Sequence, residues 1–190
     1  MFTKPLLAAA LAISSALAAP LDARQSSASF GPSATFAYNV GNGRIDPLSN
    51  QGYVSKYYQN NGQDLTALLT FAYPEAARGR TCQFVFQSDP AKTWASGSQK
   101  LDLFTSLNPA PAGGATTWPP GNQRDQNIGR LSVANGAGQS TWDVTIGDNE
   151  ISKPVPCAAP GTVEAYELVG VYDNDYVSWR DGAGPRIVYW

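Results

Sequence analysis

Apolar and polar residues alternate with a period of two in three stretches of this 190-residue chain. Side chains of a β-strand point to opposite faces in turn, so this period predicts strands with one face in a core and one in water. A shift of one residue would exchange the two faces, so the pattern also predicts the register. The residues predicted to share a face are Cys82, Phe84 and Phe86, then Leu101 and Leu103, then Trp142, Val144 and Ile146.

Further apolar runs between turn signals complete the predicted strands. Residues 65–73 suit a strand or a helix, and Pro74 together with the β-branched and aromatic residues of the run favours a strand. Other strands are predicted at residues 35–40, 128–134, 163–172, 176–179 and 186–190, with a long Pro/Gly loop over residues 108–122. Seven to nine such strands predict an all-β fold, a single β-sandwich-like domain over residues 34–190.

The first residues have the composition of a targeting segment. Lys4 precedes an apolar run that ends in small residues at Ala18, and the run is too short to cross a bilayer. We therefore predict a secretory signal peptide at residues 1–18, no membrane anchor, and a secreted protein, extracellular or in the cell wall. Residues 19–33 are predicted to be a disordered leader or linker, with proteolytic processing after Arg24 as the alternative.

Export from the cell determines the expected redox state of the two cysteines, Cys82 and Cys157. Cysteines of a secreted chain usually pair, so a disulfide is predicted, and two buried free thiols are the alternative. A bridge between these cysteines would close a loop of about 75 residues. Because it restricts the unfolded chain, such a bridge contributes about 4 kcal/mol to the stability of the fold.

The charge balance excludes two classes of partner. Removal of residues 1–18 takes away Lys4 and no acid, which leaves 12 basic and 15 acidic residues and a net charge of −3. No cluster of Lys and Arg provides the basic face that nucleic acid or an anionic membrane requires. The partners expected are therefore a cell-wall polysaccharide or an extracellular protein.

The chain contains no histidine, which excludes Ser-His-Asp and Cys-His catalysis and His-ligated metals. A paired Cys82 and Cys157 would leave no thiolate nucleophile or metal ligand. No glycine-rich phosphate loop follows a predicted strand, so no cofactor is predicted.

Carboxylates remain as candidate catalytic groups, because two of them can hydrolyse a glycosidic bond. No arrangement singles out a pair, and solvated acids on loops and strands are the alternative. The Asp173-Asn174-Asp175 segment offers oxygen ligands for a hard cation, or side chains that bond to the backbone of a turn. The candidate carboxylates are Asp143, Asp148, Glu150, Glu164, Glu167, Asp173 and Asp175.

Five tryptophans raise the possibility of a sugar-binding surface, because aromatic faces stack on the apolar faces of sugars. Trp142 and Trp179 lie on predicted strands and are assigned to the core. Trp94 and Trp118 lie beside loops and are the candidates for carbohydrate binding, with packing as the alternative.

Five segments in order resemble a known family: residues 70–74 (TFAYP), 79–86 (GRTCQFVF), 124–130 (RDQNIGR), 154–157 (PVPC) and 170–179 (GVYDNDYVSW). Together they resemble the fungal But-two C-terminal domain family over about residues 65–190. The resemblance implies a β-sandwich-like domain of a secreted or wall-associated fungal protein, without a known biochemical activity. Both cysteines fall on the family's pattern. The family's name implies a ubiquitin-like partner inside the cell, whereas a signal peptide would send this chain outside it.

The favoured function is a secreted, non-enzymatic protein that binds or has a structural role in the cell wall or extracellular space. Two alternatives stay open. One is a carboxylate-based polysaccharide hydrolase, which requires two carboxyl groups in one cleft. The other is an exported effector or antigen that binds a foreign protein through an exposed apolar patch.

Overall fold

The computed structural model describes residues 27–117 and 123–190, and this part of the chain is almost entirely β-structure. It contains one short 3-10 helix, Glu75–Ala77, and no α-helix. The strands are β1 (Ala28–Phe30), β2 (Ala34–Asn39), β3 (Ile45–Leu48), β4 (Gln51–Tyr57), β5 (Leu65–Ala72), β6 (Thr81–Ser88), β7 (Thr93–Gly97), β8 (Lys100–Ser106), β9 (Arg124–Ser132), β10 (Gly138–Gln139), β11 (Thr141–Thr145), β12 (Val155–Pro156), β13 (Val163–Gly170), β14 (Asn174–Arg180) and β15 (Gly184–Tyr189).

The strands form two antiparallel sheets that pack as a sandwich, which confirms the predicted fold class. The small sheet has the order β1-β15-β6-β10, with β12 also paired to β6. The large sheet has the order β11-β9-β8-β13-β5-β4-β14-β7, and β2 pairs with both β5 and β3. Large apolar side chains from both sheets are fully buried between them, among them Phe71, Phe84, Leu103, Leu168 and Ile187.

The predicted disulfide joins Cys82 of β6 to Cys157, just after β12. The Cα atoms are 4.9 Å apart, and Cys82 is fully buried in the core. The bridge ties the segment that leads into β13 to the centre of the small sheet.

The alternation of β6 and β8 is confirmed, because Cys82, Phe84, Phe86, Leu101 and Leu103 are all buried. The prediction that Trp142, Val144 and Ile146 share a face is wrong. A register shift between Trp142 and Val144 places Trp142 opposite Leu131 and Val144 opposite Arg130. This bulge turns Trp142 inward and leaves Val144 and Ile146 about half exposed.

Two further differences concern the first half of the chain. Residues 28–30, inside the predicted linker at 19–33, form β1 and pair with residues 187–189 of β15. The ordered fold therefore starts before residue 34. Residues 46–63 look like a polar segment in the sequence, yet they contain most of β3 and all of β4. The predicted signal peptide and Arg24 lie outside the described residues.

A second, smaller cluster of buried residues lies on the outer face of the large sheet. It consists of Phe36, Tyr38, Ile45 and Leu68, and the long loop after β8 packs against it. Ala115 of that loop pairs with Ile45 through both backbone hydrogen bonds, 2.8 and 3.0 Å. The first part of the Pro/Gly loop is thus fastened across this face.

Candidate functional site

The outer face of strands β4, β14 and β7 carries alternating aromatic and hydroxyl side chains. In one row across the strands, Trp94 lies opposite Ser178, which lies opposite Tyr53. In the next row, Ser96, Tyr176 and Ser55 follow one another, and in a third Tyr57 lies opposite Asn174. We call this surface the aromatic platform; its aromatic members are Tyr53, Tyr57, Trp94 and Tyr176.

The alternation of these strands explains why the aromatic residues face outward. Val54, Ala95, Val177 and Trp179 are buried on the opposite face, in the sandwich core. The platform residues between them are exposed or half-exposed, and Trp94 has 67% of its surface exposed.

The rows set the spacing of the aromatic side chains. Neighbouring strands lie about 4.8 Å apart, so the backbones that carry Trp94 and Tyr53, two strands apart, are about 9.6 Å from each other. Tyr176 lies on the strand between them, one row further along. The arrangement spaces flat rings across a three-stranded surface, with hydroxyl groups in the gaps.

The three rows contain no charged residue. Arg180 follows at one end of the outer face, and Lys56 and Asp175 belong to the inner set of the alternation. Burial, followed by the nearby Asp46 and Tyr176, raises the pKa of Tyr53, so its side chain stays a neutral phenol. The rows of rings and hydroxyls suit a neutral ligand that has both apolar faces and hydroxyl groups, and Asp46 adds one negative charge near Tyr53.

The structure exposes the predicted carbohydrate candidate Trp94, and the other candidate, Trp118, lies outside the described residues. Trp179 is buried and Trp142 packs partly buried against the core, as the sequence predicts. The sequence reasoning missed Tyr53, Tyr57 and Tyr176, although the alternation of Tyr53, Ser55 and Tyr57 with Gly52, Val54 and Lys56 was a usable signal.

A second feature is a cavity of about 620 Å³ between the ends of β5, β8 and β13 and the segment around β12. We call it the cleft. Its walls are apolar at Ile151, Val155 and Val163 and polar at Asn149 and Thr105, and two carboxylates line it, Glu150 and Glu164.

Glu164 accepts two hydrogen bonds in the cleft, both on the same oxygen. The Tyr73 hydroxyl donates to Glu164 Oε2 at 2.8 Å and the Tyr166 hydroxyl at 2.5 Å. Burial, with the Glu164 charge next, raises the pKa of both tyrosines, so both remain protonated donors at ordinary pH. The phenols fix the carboxylate in position, and no hydrogen bond among the described residues reaches Oε1.

The other candidate carboxylates are engaged at separate places. The Asp143 carboxylate accepts hydrogen bonds from Lys100 and Ser132, which hold its pKa below the usual range. Asp148 is fully exposed beside Lys153, and Asp173 is exposed in the turn before β14. Of the seven candidates, only Glu150 and Glu164 share the cleft.

Glu167 is buried on the outer face of the large sheet, where Arg124 neutralises it. The guanidinium donates to Oε1 at 2.7 Å and to Oε2 at 3.0 Å, and Thr66 donates to Oε1 at 2.7 Å. Arg124 also lies over the Phe104 ring, 4.8 Å from its centre. Because Arg124 follows the long loop directly, this pair fixes the loop's end and is structural.

Asp175, proposed from sequence as a weak metal ligand, binds backbone instead. Its Oδ1 accepts a hydrogen bond from Gln99 N at 2.9 Å and its Oδ2 one from Val171 N at 3.1 Å. It is fully buried, and burial raises its pKa to about 6 in spite of these bonds. Within residues 27–117 and 123–190, no group of three or more metal-binding side chains comes together.

The same residues contain no helix long and apolar enough to cross a membrane. No protein-family model matches the chain, and no curated protein matches it.

Proposed function

We propose that this chain is an extracellular binding protein whose aromatic platform holds a neutral polysaccharide of the cell wall. The observation that carries the proposal is the uncharged pattern of Trp94, Tyr53 and Tyr176 alternating with serines on three neighbouring strands. The predicted signal peptide and the disulfide support an extracellular location. The resemblance to the But-two C-terminal domain family supports a fungal origin and a wall-associated role.

The chemistry of the platform favours sugar over protein. A sugar ring has an apolar C–H face, which stacks on an aromatic ring, and hydroxyl groups at its edge, which bond to neighbouring serines. A polymer would place successive rings along the platform, so several weak contacts act together. A charged polymer would find no partner in the three rows.

The test is retention of the secreted chain on insoluble chitin, β-glucan and mannan. We expect binding to at least one polymer, and we expect Trp94→Ala to weaken it about tenfold or more, the equivalent of ~1.4 kcal/mol. Because Trp94 is mostly exposed, the substitution should leave the unfolding midpoint nearly unchanged.

The control is Val144→Ala. Val144 is also exposed, at 52%, and lies on β11, at the opposite edge of the large sheet. The Val144→Ala variant should bind the polymers as the unmodified chain does. Equal retention of Trp94→Ala and Val144→Ala, or no retention on any of the polymers, would remove the proposal.

A second candidate function rests on the cleft. It is a carboxylate-based hydrolase, for which Glu150 and Glu164 are a candidate pair that lines one cavity. The chain would then release new reducing ends from a wall polysaccharide, and Glu164→Gln would abolish the release. No release from chitin, β-glucan or mannan would eliminate this candidate for those polymers.

A further inference from the structure

The cleft is a separate site from the aromatic platform. Strand β4 of the platform pairs with β5 at Leu65, the first residue of β5, whereas Tyr73 of the cleft follows the last residue of β5. Glu164 and Tyr166 belong to the inner face of the large sheet, and the platform is on its outer face. A ligand in the cleft would therefore not touch the platform.

Two carboxylates line the cleft, and no cation is among the described residues that line it. Glu150 and Glu164 form none of the ion pairs found among the described residues. The nearest cation in sequence, Lys153, donates to Gly147 O at 2.6 Å and to Asp148 at 3.3 Å. Arg124 pairs with Glu167 on the other face of β13. Within the described residues, therefore, no cation forms an ion pair with either carboxylate of the cleft.

The apolar walls of the cleft also restrict the kind of ligand that it can bind. Apolar side chains line the cleft beside the carboxylates, and Leu107 and Val163 there are 65% and 50% exposed. Two tyrosine rings, of Tyr73 and Tyr166, flank Glu164. A ligand that fits this lining carries a positive charge next to an apolar stem.

We propose that the cleft binds a primary alkylammonium group, with the ammonium on Glu164 and the alkyl stem along Val155 and Val163. The two phenols bind Oε2 of the carboxylate and leave Oε1 to accept a bond from an incoming N–H donor. An ammonium offers three such donors, and a charge-assisted bond is stronger than a neutral one. Glu150 supplies the second negative charge at the cleft.

The test is a titration followed by NMR of the amide signals of residues 150–166. The probe is n-butylammonium, the side-chain analogue of lysine. Two molecules with a similar alkyl chain are the controls: n-butanol, which is neutral, and butyrate, which is an anion. We expect n-butylammonium to shift these signals and to bind at least about tenfold more tightly than n-butanol, with butyrate silent. A capped lysine peptide in a further arm separates the two sources of the group: tighter binding than n-butylammonium indicates a peptide ligand, and equal or weaker binding a free amine.

Glu164→Gln keeps the size of the side chain and should abolish the preference for the ammonium over n-butanol. Glu75→Gln is the matched control, since Glu75 is exposed, pairs with Arg78 and is not among the residues that line the cleft. Thermal unfolding of each variant shows whether it is folded, and its retention on wall polymers shows whether the aromatic platform still binds. Failure of the cleft proposal can therefore be distinguished from failure of the proposed function. Butanol and butylammonium binding equally, or Glu164→Gln binding like the unmodified chain, would overturn the inference.

Discussion

The buried pair Arg124–Glu167 should contribute to stability in a way that surface pairs do not. Glu167 has 1% of its side chain exposed, and three hydrogen bonds of 2.7 to 3.0 Å reach its carboxylate. Arg124→Met keeps an unbranched stem over Phe104 but removes the charge and two of those bonds. A charge left buried without its partner costs about 3–5 kcal/mol.

The measurement is urea unfolding followed by tryptophan fluorescence, with the slope m compared between variants. The double variant Arg124→Met/Glu167→Met should recover much of the loss, because it removes the unpaired buried charge. The control is Arg44→Met. Arg44 pairs with Asp46 at 2.8 Å, but their side chains are 63% and 48% exposed, so its loss should cost about 0–1 kcal/mol.

This prediction is refuted if Arg124→Met lowers the free energy of unfolding by no more than Arg44→Met does. It is also refuted if the double variant is less stable than Arg124→Met alone, because the penalty would then not come from the uncompensated carboxylate of Glu167.

Three further predictions concern stability. The pKa of Asp175 is raised to about 6 from an ordinary 3.8, so as pH rises this carboxyl loses its proton in the unfolded chain before it does in the folded chain. The free energy of unfolding should therefore fall as pH rises from about 4 to 6, by ~3 kcal/mol at most. Urea titrations should show that Asp175→Asn flattens this part of the pH profile. Gly52→Ala would place a Cβ 2.2 Å from the Trp179 ring and should lower stability by about 1–3 kcal/mol, whereas Gly31→Ala meets no atom within 4 Å and should be nearly neutral in the same assay. Reduction of the disulfide should cost about 2–5 kcal/mol, seen as a lower thermal midpoint with reductant; an unchanged midpoint would contradict a stabilising role.

Much of the fold follows from local pattern. Strict alternation at Cys82, Phe84 and Phe86 was enough to place β6 in the core, and the redox argument was enough to pair Cys82 with Cys157. The same logic failed at Val144, because a bulge depends on the partner strand β9 and leaves no mark in the sequence of β11.

The candidate sites were less accessible from sequence. Trp94 could be named as an exposed candidate, but its neighbours Tyr53 and Tyr176 lie on strands that are distant in sequence and meet only through the pairing of β14 with both β4 and β7. Glu164 could not be separated from six other acids, because its two phenol partners reach it from β13 itself and from beyond the end of β5. Pairing between strands, which a single sequence does not state, decides both sites.

The most direct test of the central claim is NMR titration with a soluble oligosaccharide of whichever wall polymer retains the chain. We predict that the largest amide shifts lie on the three platform strands, around Tyr53, Trp94 and Tyr176, and that the indole N–H signal lost in Trp94→Ala is among those that move. Shifts centred on the cleft or on the β11 edge, with the platform signals unmoved, would contradict the claim that this surface binds the polysaccharide.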